Sequence, residues 1–376
     1  MGKLTNREAY IAFNLTDRIG SATLAKMALQ HGSVSEAWEM CPHKVSRAGG
    51  EVDWRREIAL AERHQVRLVT PADEEYPQSL KFQSVHPLVL YVRGDVKALA
   101  NPSIALVGTR RATAYGLDNS YAIAKGLAES GWAVVSGLAL GIDAEAHRGA
   151  LAAGGVTIGV IGSGLDRFYP EQNVALAREI VEKGGAVVSE FPFGRPPDEH
   201  TFPQRNHTVA ALSRGVVAIE APLKSGTLIT TSIAAEIGRT VMALPGRVDS
   251  RSSAGCLKLI REGARLVRNA RDVEEEMSEL LPRTQPKNAV PAPETAAARP
   301  SRPPLPQSEE GAPVPRFSLE EGMIMKHVDT EDVFIDALVE KTGLPAGKVN
   351  SLCMTLRLKG RVRFLPGNRV ALPREV

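Results

Sequence analysis

The stretch RNHTVAALSRGVVAIEAPLKSGTLITTSIAAEIGRTVMALPG, residues 205–246, is the clearest indication of the fold class. Two short apolar runs within it, residues 216–220 and 241–244, are typical of buried parallel strands. Between them, residues 225–227 (Ser-Gly-Thr) begin a predicted helix with apolar residues at helical spacing along one face. A glycine after a strand lets backbone N–H groups approach a ligand, and the N-terminus of the following helix attracts an anion. The stretch therefore predicts a phosphate-binding loop between two strands of one sheet.

Composition limits the classes of protein to which the chain can belong. Its 376 residues are enough for two or three domains, and the net charge of +3 is too small to indicate a polyanion partner by itself. The spacing of Cys41, Cys256 and Cys353 argues against a disulfide framework and against a zinc site. The charged start MGKLTNREAY is unlike a signal peptide, and no later stretch is long and apolar enough to span a bilayer. We expect a cytoplasmic protein without membrane contact or bound metal.

Four segments follow from patterning along the chain. Residues 1–64 read as short helices, and IGSATLAKMALQHGS is similar to a helix-hairpin-helix or SAM-like unit. Such a unit either contacts a DNA backbone or only packs on its neighbour. Residues 65–281 form the main domain, and residues 282–316 are a Pro- and Ala-rich linker that we expect to be disordered. Residues 317–376 form a third domain.

The main domain alternates apolar runs with helix-length segments, which predicts a doubly wound parallel sheet of the Rossmann type. Ligands of such sheets bind at the carboxyl ends of the strands, so the loops after the strands are candidate site loops. The predicted strands are residues 66–69, 88–92, 104–107, 133–135, 157–161, 186–188, 216–220 and 241–244.

The loops after these strands are rich in small residues, and three of them add a cation: Arg110, Arg205 and Lys224. In order, the segments are VGTRRATAYG, SGLALGIDAEAHRGAL, GSGLDRFYPEQN, and SEFPFG followed by FPQRNH. None of them reads G-x-G-x-x-G with an acidic residue after the second strand, so a dinucleotide cofactor is disfavoured. We expect no cofactor.

The motifs VGTRRATAYG, SGLALGIDAEAH, TIGVIGSGLDRFYPEQN, SEFPFG, FPQRNH, EAPLKSGTLIT and LPG resemble, in order and spacing, those of the DNA-processing protein A family, DprA or Smf. The resemblance implies an extended Rossmann-like core with a C-terminal winged helix. It also implies a protein that binds single-stranded DNA without strong sequence preference, forms a homodimer, and loads the RecA recombinase during natural transformation. Members of the family are not known as enzymes, so no catalytic residue is expected.

Matching the family's motifs position by position implies a set of DNA-binding residues: Gly108, Arg110, Gly137, Gly162, Gly164, Arg205, Asn206, Lys224, Ser225, Gly226 and Thr227. A single strand needs cations for its phosphates and flat side chains for its bases. The three loop cations can supply the first, with backbone N–H groups at Gly108, Gly137 and Gly226, and Phe168, Tyr169 or Phe202 can supply the second.

Two positions depart from the family's pattern. His207 stands where the family usually has a second arginine, which replaces a fixed cation by a residue that is largely neutral at pH 7. Leu257 in SAGCLKLIREGA stands where a polar asparagine is expected. The first change predicts weaker or pH-dependent binding, and the second removes one expected hydrogen bond.

Several residues also admit simpler interpretations. Asp143 and His147 are one helical turn apart, but two residues without a third partner are more typical of an N-cap and a structural histidine than of a metal site. Ser225 has no base spaced to activate it, which favours a helix cap over a nucleophile. Arg110 and Arg205 could be surface cations paired to Glu220 or Glu190 rather than phosphate ligands.

Two enzyme classes remain as alternative hypotheses. The LOG-type nucleoside monophosphate phosphoribohydrolases share a related sheet and a glycine-threonine phosphate loop. They carry a glutamate soon after the Gly-Thr, whereas this chain has no acid after Thr227 until Glu236, which removes the catalytic group. A nicotinamide oxidoreductase lacks its glycine fingerprint here.

The last segment has a winged-helix pattern: helices at 333–342 and 346–359, then a hairpin of 362–364 and 369–372 around Pro366-Gly367-Asn368. Five cations fall late in the second helix and in the wing: Arg357, Lys359, Arg361, Arg363 and Arg369. They favour contact with a duplex backbone. The acids Asp329, Glu331, Asp332, Asp336 and Glu340 offset them, so duplex DNA and a protein partner both stay open for this domain.

Overall fold

The computed structural model describes residues 3–16, 19–41, 50–278, 318–328, 332–365 and 367–373. The chain forms two compact units, Met1–Met277 and Ser278–Val376, and each is described by itself. The expected linker, residues 282–316, lies outside the described residues. Because the first unit contains both the N-terminal helices and the sheet, a domain boundary at residue 64 stays a prediction. Within the described ranges, no helix combines the length and the hydropathy that crossing a membrane requires.

Among the described residues, the first unit begins with the helices α1 (Asn6–Leu15), α2 (Ser21–His31), α3 (Val34–Met40) and α4 (Trp54–Arg63). A capping box starts α1, because the Thr5 hydroxyl accepts from the N–H of Glu8 and the Glu8 carboxylate accepts from the N–H of Thr5. The rings of Phe13 and Trp38 pack edge to face with centroids 5.0 Å apart. Ile11, on the same helix as Phe13, lies in the apolar cluster that covers the sheet. The helical segment is therefore packed against the sheet.

The sheet of the first unit has nine strands: β1 (Arg67–Val69), β2 (Leu90–Gly94), β3 (Ser103–Gly108), β4 (Ala133–Ser136), β5 (Thr157–Val160), β6 (Ala186–Ser189), β7 (Gly215–Glu220), β8 (Thr240–Ala243) and β9 (Arg265–Leu266). Their order across the sheet is β1-β2-β6-β5-β4-β3-β7-β8-β9. Side chains of β3 to β7 are almost all buried, as the continuous apolar runs predict.

Strands β3 to β9 pair in parallel, which confirms the Rossmann-like core. The two strands at one edge depart from the expected all-parallel sheet. β2 pairs antiparallel with β6, and β1 pairs antiparallel with β2. The connection from β1 to β2, residues 70–89, contains the four-residue helix Gln78–Lys81 but no crossover helix of the length that joins parallel neighbours, and the two strands run antiparallel. β9 adds a short strand at the other edge that the pattern of apolar runs does not predict.

Helices cover both faces of this sheet: α5 (Gln78–Lys81), α6 (Ala114–Glu129), α7 (Ile142–Ala152), α8 (Val174–Glu182), α9 (Thr201–Leu212), α10 (Gly226–Glu236), α11 (Ala254–Arg261) and α12 (Ala270–Met277). From β3 the chain moves outward to β6 in one direction, then returns to β7 and moves outward in the other. The strand order therefore reverses between β3 and β7. Such a switch point leaves a crevice at the carboxyl ends of the strands, where doubly wound sheets bind ligands.

The second unit is a winged helix, as the sequence predicts. Its elements are α13 (Leu319–Met325), β10 (Val333–Phe334), α14 (Ile335–Thr342), α15 (Ala346–Leu358), β11 (Arg363–Leu365) and β12 (Arg369–Ala371). The strands form a three-stranded antiparallel sheet in the order β10-β12-β11, around a core that includes Leu338, Val349 and Leu356. The helix expected at 333–342 begins at Ile335, because the two residues before it pair with β12. α13 is an additional helix, and Pro366 of the turn lies outside the described residues.

Candidate nucleic-acid interface

A cleft of about 350 Å³ opens at the switch point between β3 and β7. The loops after β3, β4 and β7 and the first turns of α9 and α10 line it. Nine of the eleven residues implied by the family's motifs lie together in its lining: Gly108, Arg110, Gly137, Arg205, Asn206, Lys224, Ser225, Gly226 and Thr227. Segments that are distant in the chain meet here because parallel strands present their carboxyl ends at one edge.

The other two glycines lie apart from the cleft. Gly162 lines a smaller adjoining cavity of about 30 Å³ that shares Arg110, Gly137 and Arg205 with it. Gly164 lines neither cavity, and its N–H donates to the Arg195 carbonyl at 2.9 Å. A Cβ at Gly164 would approach the Pro192 carbonyl to 2.6 Å, so close packing against the loop after β6 accounts for the glycine.

One wall of the cleft is the N-terminus of α10. Ser225 caps this helix, since its hydroxyl accepts from the N–H of Thr227 at 3.1 Å, which confirms the predicted cap. Among the described residues, none accepts from the N–H of Gly226, and a Cβ there would meet open space. Lys224 is exposed beside it. This wall therefore offers a backbone donor, the helix dipole and a cation to an anion.

The loop after β3 forms the opposite wall with two exposed cations, Arg110 and Arg111. Within the described parts of the chain, no carboxylate forms an ion pair with either arginine or with Lys224. Glu220, considered above as a partner of Arg110, instead accepts from the N–H of Thr113 at 2.8 Å. The cleft therefore carries positive charge that the protein itself does not neutralise.

Arg205 is buried, whereas the sequence analysis predicts an accessible cation that contacts a phosphate. It is 7% exposed, and its Nη1 donates to the carbonyls of Gly137 and, at 2.9 Å, of Val160. Its Nε donates to the Asn206 side-chain oxygen at 3.1 Å. The guanidinium thus joins the ends of β4 and β5 beneath the cleft, while its partner in the alternative interpretation, Glu190, accepts from the Thr208 hydroxyl.

The backbone of Gly137 is likewise engaged within the protein. Its N–H donates to the Asp143 carboxylate at 3.1 Å, so this N–H is not available to a phosphate as predicted. A Cβ at Gly137 would lie 2.6 Å from Arg205 Nη1 and 2.7 Å from Asp143 Oδ2, and only glycine fits. Burial raises the pKa of Asp143, and the charge of Arg205 opposes that rise. Arg205 and Asp143 together fix the floor of the cleft.

Asp143 and His147 serve different structural roles rather than facing one another as metal ligands. The N-cap position of α7 belongs to Gly141, and Asp143 lies within the first turn. The Thr157 hydroxyl donates to the Val134 carbonyl at 2.7 Å and therefore accepts from His147 Nδ1, also at 2.7 Å. Burial lowers the pKa of His147 to about 3, which keeps the imidazole neutral.

Aromatic rings lie at one end of the cleft. Phe202 lines both cavities, with the Arg110 guanidinium 5.1 Å from its ring centroid. Tyr169 is 46% exposed and lies 6.4 Å from Phe202 between centroids. Phe168 packs on the apolar cluster under α8 and does not line the cleft, so it is excluded as a stacking residue there. Of the three predicted rings, Phe202 lines both cavities and Tyr169 lines the smaller one.

The two departures from the family's pattern are both partly buried. Burial lowers the pKa of His207, with a smaller contribution from His86, which favours the neutral imidazole at pH 7. Leu257 lies in α11 and lines neither cavity at the switch point.

One residue in the lining of the cleft, Arg111, is absent from the predicted set of DNA-binding residues, although the doubled arginine in VGTRR is visible in the sequence.

Cations of the second unit are arranged differently from those of the cleft. Lys359 pairs with Glu321 and Arg369 pairs with Asp332, each at 2.6 Å, and Lys348 pairs with Glu320. The Lys359 ammonium lowers the pKa of Glu321, so this pair is intact at neutral pH. Asp329 and Glu331 lie outside the described residues.

Residues 67–278, more than half of the chain, match the family described as DNA recombination-mediator protein A. The chain belongs to this family. A second match, residues 292–368, is to the DprA winged helix domain. The chain is 36% identical to Protein Smf of Escherichia coli over 81% of its own length and 77% of that protein.

Two solved structures of the family resemble part of this chain. The X-ray structure of DNA processing protein A from Streptococcus pneumoniae has 32% identity and a TM-score of 0.61, covering 73% of this chain and 99% of that one. The Helicobacter pylori protein, whose structure concerns its single-stranded DNA binding mode, has 31% identity and a TM-score of 0.51, covering 57% and 96%. The chain is thus a DNA-processing protein of known architecture.

Proposed function

We propose that the cleft at the switch point binds single-stranded DNA by its phosphates, and that the chain presents the bound strand to the RecA recombinase. The observation that carries the proposal is the set of exposed cations Arg110, Arg111 and Lys224, which line the cleft without a carboxylate partner among the described residues. The solved relative from Helicobacter pylori, which binds single-stranded DNA, supports the same ligand.

Each wall of the cleft has a defined role in this proposal. One phosphate accepts from the N–H of Gly226 and is neutralised by Lys224, in the manner of anion sites at helix N-termini. A neighbouring phosphate meets Arg110 and Arg111 on the opposite wall. Bases next to these phosphates stack on Tyr169 or Phe202. Because these contacts reach the backbone and ring faces, binding depends little on base sequence.

Loading of RecA and a homodimeric state are further parts of the proposal. Both rest on membership of the family, and no surface of this chain is assigned to either partner. Their test is RecA filament assembly on an oligonucleotide coated with single-strand-binding protein, measured with and without the chain. Faster assembly is expected, together with a dimeric mass in light scattering. An unchanged assembly rate would remove the loading role without affecting the DNA-binding role.

The DNA-binding role is tested by fluorescence anisotropy with single- and double-stranded oligonucleotides of mixed sequence, each titrated over a series of salt concentrations. We expect preference for the single strand, and an affinity that falls as salt rises because condensed counterions are released on binding. Equal affinity for both forms, or affinity that does not change with salt, would contradict the proposal.

The nucleotide hydrolase alternative is not favoured by the lining of the cleft. Of the described residues that line it, Asp143 is the one with a carboxylate, and that group accepts from the N–H groups of Gly137 and Ala139. No acid is therefore free to act as a general base. Nucleoside monophosphates incubated with the protein should release no free base above the blank. Release that disappears in Thr227→Ala would overturn the binding-protein assignment.

A further inference from the structure

A separate groove, the α8 groove, runs along one side of α8 in the first unit. It has a volume of about 190 Å³, and five of its seven lining residues are apolar: Phe168, Val174, Ala177, Val181 and Val187. None of them lines the cleft at the switch point. Val174 is 40% exposed although it lies on the same side of the helix as the buried Ala177. The groove therefore leaves apolar surface open to solvent beside the packed core.

The two remaining lining residues are arginines, the half-buried Arg93 on β2 and the exposed Arg178 on α8. Of the described residues, none offers either guanidinium a carboxylate within ion-pairing distance. Asp166 influences Arg93 electrostatically, but its carboxylate accepts from the N–H of Gly194. Burial lowers the pKa of Arg93, and the charge of Asp166 offsets only part of that desolvation. An anion that reached this arginine would recover part of that cost.

The combination of apolar walls and two arginines without an ion pair among the described residues defines the chemistry of the ligand. It must be anionic and must also carry an apolar group of the size of one large side chain. A nucleobase fits this description poorly, since the two guanidiniums are the polar side-chain groups among the described lining residues and offer no acceptor to ring amino groups. A large aliphatic or aromatic side chain flanked by carboxylates has no such groups.

We propose that the α8 groove binds an acidic peptide segment of a partner protein, with one large apolar side chain in the cavity and carboxylates on Arg93 and Arg178. An extended segment laid along the helix presents its charges and its apolar residue at the same time. Arginine suits the carboxylates because its planar donors can bind them in bidentate fashion. The groove is thereby a protein-docking site distinct from the DNA cleft.

The test uses the full chain and a fluorescein-labelled peptide of four aspartates followed by leucine and phenylalanine, with fluorescence anisotropy as the readout. We expect saturable binding that is lost when both apolar residues of the peptide are serine. Arg178→Ala should weaken binding about tenfold, because it removes a charge-assisted hydrogen bond. Val174→Asp should weaken it at least as much by placing an anion in the groove, and an aspartate in the first turn of a helix is compatible with folding.

Lys183→Ala is the matched control, because Lys183 is an exposed cation at the end of α8 outside the groove lining. It should change peptide affinity less than twofold, and Arg178→Ala should leave the affinity for single-stranded oligonucleotides within twofold. The proposal is overturned if the peptide does not bind or if Lys183→Ala is as damaging as Arg178→Ala. It is also overturned if Arg178→Ala weakens oligonucleotide binding while the peptide shows none, which would assign the groove to the DNA strand.

Discussion

The cleft of the first unit and the winged helix of the second both concentrate cations, but they differ in what those cations contact. In the cleft, Arg110 and Lys224 have no carboxylate partner among the described residues. In the winged helix, Lys359 and Arg369 each lie 2.6 Å from a carboxylate. A cation that is already paired gains less from a phosphate, because binding must first break the existing pair. Lys359 and Arg369 are therefore less available to a phosphate than Arg110 and Lys224 are.

Arg205 differs from both groups of cations, because it is buried in the floor of the cleft. Arg205→Ala leaves the Asp143 charge uncompensated and two carbonyls without donors, so we expect the free energy of unfolding to fall by about 3–5 kcal/mol. Urea denaturation measures this change. Lys224→Ala, which removes an exposed cation of the same cleft, should stay within about 0.5 kcal/mol of the wild type. Equal midpoints and slopes for the two variants would show that Arg205 is not a structural residue.

Exposed cations should instead affect binding. The double variant Arg110→Ala/Lys224→Ala should bind single strands about 100-fold more weakly, because two charge-assisted contacts are lost. The slope of log affinity against log salt should fall by about 1.4, or about 0.7 for each contact. Lys97→Ala/Lys183→Ala removes two exposed cations outside the cleft and is the control. If the control variant loses more affinity for single strands than Arg110→Ala/Lys224→Ala does, the phosphate contacts lie outside the cleft.

Buried polar groups make the first unit sensitive to acid. The pKa of His147 is about 3 in the folded chain and about 6.5 when unfolded, so protonation favours the unfolded state. Its contribution to stability is complete above pH 6.5 and is lost as the pH falls toward 3. Between pH 6.5 and 4.5 the wild type should lose about 2 kcal/mol more stability than His147→Gln. Parallel stability curves for the two proteins over this range would contradict the assigned protonation state.

Releasing the paired cations of the winged helix should produce the smallest effect. Glu320→Gln/Glu321→Gln frees Lys348 and Lys359, and we expect duplex affinity at low salt to rise about tenfold. Gln at residue 321 can keep the capping box with Ser318, so folding of α13 should be retained. Asp336→Asn/Glu340→Gln makes the same change in net charge and is the control. If duplex affinity rises equally in both variants, overall charge rather than the release of Lys348 and Lys359 from their ion pairs determines duplex binding.

Hydrophobic periodicity and the positions of the loops after the strands predicted the central strands and most of the residues that line the cleft. The apolar runs at 104–107 and 216–220 correspond to the central strands Ser103–Gly108 and Gly215–Glu220, and the switch point between them brings the predicted loops together. Strand direction at the β1–β2 edge was not predictable, because a period of two is the same in parallel and antiparallel strands. The burial of Arg205 depends on the packing of α9 against β4 and β5, which no local pattern reports. The position of Gly164 outside the cleft could not be predicted either, because a glycine in a loop can serve close packing as well as the approach of a ligand.

We expect the first unit alone to hold the single-strand site. A fragment that ends at Ser278, compared with the full chain by anisotropy with the same single-stranded oligonucleotide, tests it most directly. The strands, their loops and the cleft are complete within this fragment, so we expect its affinity to stay within about threefold of the full chain, with a similar salt slope. Loss of single-strand binding in a fragment that unfolds at the same temperature as the first unit of the full chain would contradict the account.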